Sequence, residues 1–178
     1  MNINRYHVRS ATEIVTTMLD IPKGGKQKCI DEAYRIGDKQ NQKTNVKAIM
    51  SSWAIWEETS AYNGLLDIII TQISISLSPL YDSMYEYALT NAWTAIYKEG
   101  HYTQPHTHRL AQTSFVYYVK ADIGSSPLIF DKSDLHVAPC DGLLVVFPSY
   151  LEHSVPVHRG EDRICLAGNL DAVMKSNA

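Results

Sequence analysis

The feature that most limits what this chain can fold into is the punctuation of its second half. Beyond Gly100, segments short enough to be strands lie at roughly 104–108, 113–120, 127–131, 134–138, 142–148, 152–157 and 162–169. Between them fall turn-forming clusters: Gly124-Ser125-Ser126-Pro127, Lys132-Ser133, Asp141-Gly142, Pro148-Ser149 and Arg159-Gly160. Short strands separated by such turns argue for a sandwich or barrel.

The same stretch holds six of the seven histidines. His106 and His108 are two apart, and residues i and i+2 of an extended strand point to the same face. His153 follows forty-five residues later, and a closed β-scaffold sets distant strands side by side. The three imidazoles are therefore candidates to hold one divalent metal. Arg163 comes ten residues after His153. If the two stand on antiparallel strands joined by a short loop, the guanidinium can grip a carboxylate in bidentate fashion while the other end of the same small molecule binds the metal. Such a combination calls for an oxoacid cosubstrate.

Composition narrows the alternatives. At 178 residues the chain is expected to form one domain (1–178) that buries about two-thirds of its unfolded surface. Residues 1–90 read as a supporting layer and 91–170 as the core that carries the site. Sixteen Lys and Arg against 19 Asp and Glu give a net charge of −3, so no general attraction to nucleic acid or an anionic membrane is expected. No apolar run reaches the roughly 18 residues that a membrane span needs. The opening MNINRYHVRS lacks a hydrophobic signal core, which points to a cytoplasmic location. Cys29, Cys140 and Cys165 are odd in number and far apart, and they read as free thiols.

The first half says less. Ala11–Leu19 fits a helix or a strand, Pro22–Lys28 a loop, Asp31–Ile36 a short helix ended by Gly37, and 38–47 an exposed polar stretch. Val46–Trp56 reads as a strand, and Glu57–Ser60 as the start of a helix running to about Leu77. The β-branched Ile68, Ile69, Ile70, Ile73 and Ile75 leave a buried strand as an alternative for the second half of that helix. Pro79 marks a stop. A strand over Asn91–Lys98 follows and ends at Glu99-Gly100, with Trp93 and Tyr97 the residues of this half expected near a site.

Several pieces of the second half form a recognisable series. They are Trp93, Tyr97, Gly100, Tyr102, His106 and His108, then Val116-Tyr117-Tyr118-Val119, then Pro139, Gly142, Phe147-Pro148-Ser149, Leu151, His153 and Val155, and last Arg163-Ile164 and Asn169. In this order and spacing, residues 91–170 resemble the 2-oxoglutarate- and iron-dependent oxygenases. They are especially similar to the small family of these proteins found in bacteria and phages, and more loosely to prolyl-hydroxylase-like relatives.

The resemblance implies an α+β chain with a double-stranded β-helix core (jelly-roll, cupin-like) and N-terminal helices packed outside it. Its implied cofactor is Fe(II), with 2-oxoglutarate as cosubstrate. The activity would be oxidation, usually hydroxylation, of a small molecule or protein side chain, with release of succinate and CO2. His106 and His153 would be iron ligands and Arg163 the clamp for the far carboxylate of 2-oxoglutarate. Tyr118 would donate a hydrogen bond to that carboxylate, Tyr97 would line the pocket, and Asn169, counted with them as cosubstrate-binding, would sit where the last strand passes the metal. No nucleic-acid or membrane partner is expected, and assembly as a homodimer is left open.

Two positions depart from the wider pattern. His108 stands where that superfamily has an acidic residue completing a two-His, one-carboxylate set. A neutral imidazole there leaves the site one negative charge short, although the small bacterial and phage family often carries the same His-x-His. Asp131 and Glu152 are the nearest carboxylates in sequence, and neither has ligand spacing. Cys165 replaces a Ser or Thr common in relatives, and a thiol is a weak donor. Two other readings stand beside the first. One is a cupin-type three-His dioxygenase that needs no 2-oxoglutarate. Gly100 and His106-x-His108 match it, but Gln112 stands where a Glu belongs. The other is a non-catalytic binding module on the same fold.

Overall fold

The strands of the second half are apolar on both faces. In β6 (Thr113–Lys120), Phe115, Tyr117 and Val119 turn to one side while Val116 and Tyr118 turn to the other. In β9 (Leu143–Pro148), Leu144 and Val146 oppose Val145 and Phe147. In β11 (Arg163–Met174), Ile164 and Leu166 oppose Cys165 and Ala167. Strands of this kind belong inside a sheet covered on both faces.

That is their place in the computed structural model of the chain, which describes residues 12–21, 24–37, 44–77 and 85–175. The remaining strands are β1 (Val15–Met18), β2 (Val46–Lys47), β3 (Ile49–Met50), β4 (Tyr85–Tyr97), β5 (Tyr102–His106), β7 (Leu128–Phe130), β8 (Leu135–Val137) and β10 (His153–Val155). The larger sheet has the order β1-β9-β6-β11-β4-β3 and the smaller β2-β5-β10-β7-β8. From β4 onward the strands alternate between the two sheets, except that β7 and β8 form a hairpin within the smaller one, so that 4, 11, 6 and 9 face 5, 10, 7 and 8. This is the jelly-roll order of a double-stranded β-helix, as the sequence suggested.

Two apolar cores result. One lies between the sheets and includes Trp93, Tyr97, Tyr118, Phe130 and Phe147. The other lies on the outer face of the larger sheet, covered by α1 (Gly25–Ile36) and α3 (Asn63–Leu77). The short α2 (Ile55–Glu58) abuts β4. No helix among the described residues is long and apolar enough to cross a membrane.

The first half departs from its sequence reading in instructive ways. Residues 25–28, read as loop, begin α1, because Cys29, Ala33 and Ile36 recur at helical spacing and are buried. The expected strand over 46–56 is divided. β2 pairs with β5 of the small sheet and β3 with β4 of the large one, so the chain crosses between sheets at Ala48 and then turns into α2. The Ile-rich segment is helical throughout, with Leu65, Leu66, Ile69 and Ile73 buried and Ile75 62% exposed. The ambiguous stretch before Leu19 is strand β1, at the sheet edge beside β9. β4 begins at Tyr85, not Asn91, because it zips against an extended β11 as far as the Tyr85–Met174 pair. The expected stop at Pro79, residues 38–43 of the polar stretch, Pro22 and Lys23 of the loop, and the N-terminal residues 1–11 lie outside the described residues.

Gly168 on β11 answers a packing demand. A Cβ there would meet the Phe115 ring at 2.6 Å and the Asn91 carbonyl at 2.7 Å, so only glycine lets the strands approach this closely.

Candidate functional site

His106 closes β5 and His153 opens β10, and the two are register partners across that antiparallel pair. Their ring centroids are 4.3 Å apart. β5 ends at His106, so His108 stands just beyond the paired strand. Its backbone N–H donates to the Ser149 carbonyl at 2.8 Å. The His108 ring lies 4.8 Å from that of His106 and 5.2 Å from that of His153. The potential ligand atoms of the three all lie within 4.8 Å of one another.

Ring hydrogen bonds prepare two of these histidines as ligands. The Nδ1 atoms of His106 and His153 lie 2.9 Å from the carbonyls of Gln104 and Leu151. A carbonyl only accepts, so each Nδ1 carries the proton and each Nε2 keeps its lone pair free. Burial lowers the pKa of all three. It pushes His153 down to about 3 and His108 to about 4, with the neighbouring His106 acting in the same direction, and it lowers His106 as well. All three are thus neutral near neutral pH, the form that binds a metal.

The walls are aromatic. Phe147 meets His153 edge-on at 4.8 Å, Phe130 lies 6.3 Å from the same ring, and Trp93 lies 5.8 Å from His108. Among the described residues no carboxylate joins the group. The Asp131 carboxylate accepts the Ser154 hydroxyl at 2.8 Å, and neither it nor Glu152 belongs to the cluster. The donor set is three imidazoles.

Arg163 lines the same cavity as the histidines. It reaches there from the opposite sheet. β10 pairs with β5 and β7, while β11 lies between β4 and β6, so His153 and Arg163 are not on paired neighbours as the spacing suggested. The side chain is 1% exposed. Its guanidinium lies 4.5 Å from the Tyr97 ring centroid and 4.9 Å from that of Tyr118. Nη2 donates to the Tyr118 hydroxyl at 3.2 Å, whereas Nε and Nη1 are buried with no partner among the described residues. An always-charged group with orphaned donors is costly to bury. Such a group is understandable where an anion completes it.

The other candidates fall around this axis. Tyr118 and Tyr97 flank the guanidinium. The Tyr97 hydroxyl shares a 2.6 Å hydrogen bond with Thr103, and burial raises its pKa to about 12. Burial raises Tyr118 too, so both hydroxyls stay protonated. Cys165 lines the cavity with its thiol directed at the Ala95 carbonyl, 3.8 Å away. Asn169 is buried, and its amide is engaged at both ends, by Ser114 and by Asn91, each at 2.7 Å. Thr103, Ser114 and Ser149 carry no role in the sequence reading. Ser149 sits in the conspicuous Phe-Pro-Ser run, but a buried hydroxyl has no sequence signature of its own.

The cavity between the histidines and Arg163 has a free volume of about 40 Å³. A larger hollow of about 720 Å³ lies away from the histidines, lined by Thr12, Ser76, Arg109, Gln112 and Tyr150 among others. Among the described residues it contains no group of three potential metal ligands.

No protein-family model matches the sequence, and no curated protein matches it either. Solved structures do match in shape. A viral collagen prolyl hydroxylase from Paramecium bursaria Chlorella virus-1, in complex with 2-oxoglutarate, superposes with a TM-score of 0.67 at 14% identity, covering 90% of this chain and 96% of that one. A prolyl-4-hydroxylase of Pseudomonas putida gives 0.67 at 18% identity, with 90% and 92% covered. The non-haem α-ketoglutarate-dependent epimerase SnoN of nogalamycin biosynthesis gives 0.67 at 10% identity, with 93% and 81% covered. At these identities the likeness is one of fold.

Proposed function

We propose that the chain is an Fe(II)- and 2-oxoglutarate-dependent oxygenase, acting by oxidation on a small molecule or a protein side chain. One observation carries this reading. A fully buried arginine with two unpartnered guanidinium nitrogens closes the same cavity that three imidazoles open. A metal alone would not need Arg163, and an anion alone would not need three histidines. A dicarboxylate bound to a metal uses both.

In this reading His106, His108 and His153 hold the iron through their unprotonated nitrogens. Arg163, assisted by the Tyr118 hydroxyl, holds the far carboxylate. When bound, iron with 2-oxoglutarate and oxygen supplies the oxidising chemistry, with succinate and CO2 as co-products. The protein's own contribution is orientation and dryness. Phe130, Phe147 and Trp93 line the imidazoles with apolar surface, which strengthens every charge interaction inside. With no carboxylate among the three side chains, the site would stay one negative charge short of the two-His, one-carboxylate pattern. The free cavity is small, about 40 Å³, and lies between the imidazoles and Arg163.

The all-imidazole donor set favours a second reading, a three-His oxygenase that needs no oxoacid. Anaerobic calorimetry of the iron-loaded protein separates them. The first reading expects 2-oxoglutarate to bind and slow succinate release to follow when oxygen is admitted. Metal binding without 2-oxoglutarate binding supports the second reading instead.

A further inference from the structure

The three histidines are not held alike. His106 and His153 are fixed by strand pairing and by ring hydrogen bonds. His108 stands in a loop outside any strand, so its position depends on what ties that loop down. The ties lead into a buried chain of polar side chains.

Ser149 is the junction. Its carbonyl accepts the His108 N–H at 2.8 Å, and its own N–H donates to the Gln112 carbonyl at 3.0 Å. Its hydroxyl, fully buried, lies 2.7 Å from the Ser114 hydroxyl. Ser114 donates to Asn169 Oδ1 at 2.7 Å, and Asn169 Nδ2 donates to Asn91 Oδ1 at 2.7 Å. A serine has one proton, and that of Ser114 is committed to Asn169, so Ser149 must be the donor between the two serines. The chain therefore runs in one direction from the His108 loop into the sheet. The far end of β11 grips the loop again. Asp171 accepts the Gln112 N–H and Gln112 Oε1 accepts the Ala172 N–H, each at 2.8 Å. Buried polar groups are costly unless satisfied, and a fully satisfied chain fixes one arrangement.

We infer that Asn169 is a positioning residue for His108, acting through Ser114 and Ser149. The inference rests on reading the triad as a metal centre. It gives β11 two duties: Arg163 at one end faces the anion, and Asn169 with Asp171 at the other end sets the third metal ligand. Asn169 itself does not touch the cosubstrate in this account, because both ends of its amide are taken.

The test is a double-mutant cycle read by Co(II) calorimetry and by the visible absorption of bound Co(II). Asn169→Leu and Ser149→Ala should each weaken Co(II) binding about tenfold, the lower end of what loss of an outer hydrogen-bond partner costs, since both act on His108 through the Ser149 backbone. Their spectra should move towards that of His108→Ala. Adding Asn169→Leu to His108→Ala should change the affinity by less than about threefold, since the ligand it positions is already gone. An equal loss in both backgrounds, or single variants that bind Co(II) like the wild type, overturns the inference. Thermal melting shows whether Asn169→Leu folds, and if it does not, the milder Ser149→Ala decides in the same cycle. A wild type that binds no Co(II) ends the metal reading and this inference with it. Wild-type binding without coupling ends this inference alone.

Discussion

Arg163 on β11 and Tyr97 on β4 are register partners, and the guanidinium of one lies over the ring of the other, 4.5 Å from its centroid. The ring satisfies one face of the cation and leaves Nε and Nη1 without acceptors. A buried cation with open donors costs stability, and an anion beside it would relieve that cost. Arg163→Met should therefore raise the Kd for 2-oxoglutarate at least 100-fold while changing metal affinity by no more than a few-fold. The ligand-free variant should also be more stable, by about 1–3 kcal/mol, because an uncompensated buried cation is replaced by an apolar chain. Calorimetry and thermal melting check the two halves, and a variant that loses stability without losing 2-oxoglutarate affinity contradicts the anion-site reading.

The donor set makes a separate prediction. The His108 backbone is tied to Ser149, so exchanging its side chain should leave the loop in place. His108→Ala should weaken Fe(II) or Co(II) binding more than tenfold. His108→Asp should recover most of that loss, because a carboxylate suits the same ion and supplies the missing negative charge. Metal titrations followed by calorimetry measure this. Indistinguishable affinities for wild type and His108→Ala remove His108 from the metal site.

The thiols should sort by burial. Cys140 is exposed, while Cys29 and Cys165 are buried. Burial pushes Cys29 up to about 11 and raises Cys165 as well, which leaves almost no thiolate on either at neutral pH. In the native protein an aromatic disulfide reagent should react promptly with Cys140 alone, and in denaturant with all three cysteines of the chain. Fast labelling of Cys165 in the native state would show that the cavity beside Arg163 opens readily.

Gly168 should resist substitution. Gly168→Ala forces a methyl against the Phe115 ring and the Asn91 carbonyl, and overpacking of this kind costs about 1–3 kcal/mol. For a domain of this size each kcal/mol lowers Tm by roughly 2–4 °C. Differential melting of wild type and variant reads it directly, and an unchanged Tm would mean that β11 and β6 have room to separate.

Much of the core was legible in the residues alone. The turn clusters past Gly100 and the short segments between them pointed to a sandwich or barrel, whereas the helices that cover the outer face of β6, β9 and β11 were not evident from those strands. The spacing of His106, His108, His153 and Arg163 marked the residues that converge, because few folds give such a set a purpose other than holding a metal and an anion. Tertiary structure decided how they converge. Period-2 alternation is a local rule, and the pairing that enforces it ends at His106, two residues before His108, whose backbone is tied to Ser149, a residue forty-one positions away. Arg163 faces the histidines from the opposite sheet because β10 and β11 were dealt to different layers, a matter of topology that spacing along the chain does not encode. The lengths of β4 and β11 depend on their pairing with each other, and the company of Asn169 on the strands that flank it. A hydrogen bond between distant side chains lowers the energy only once the fold has brought them together, so no local pattern announces it.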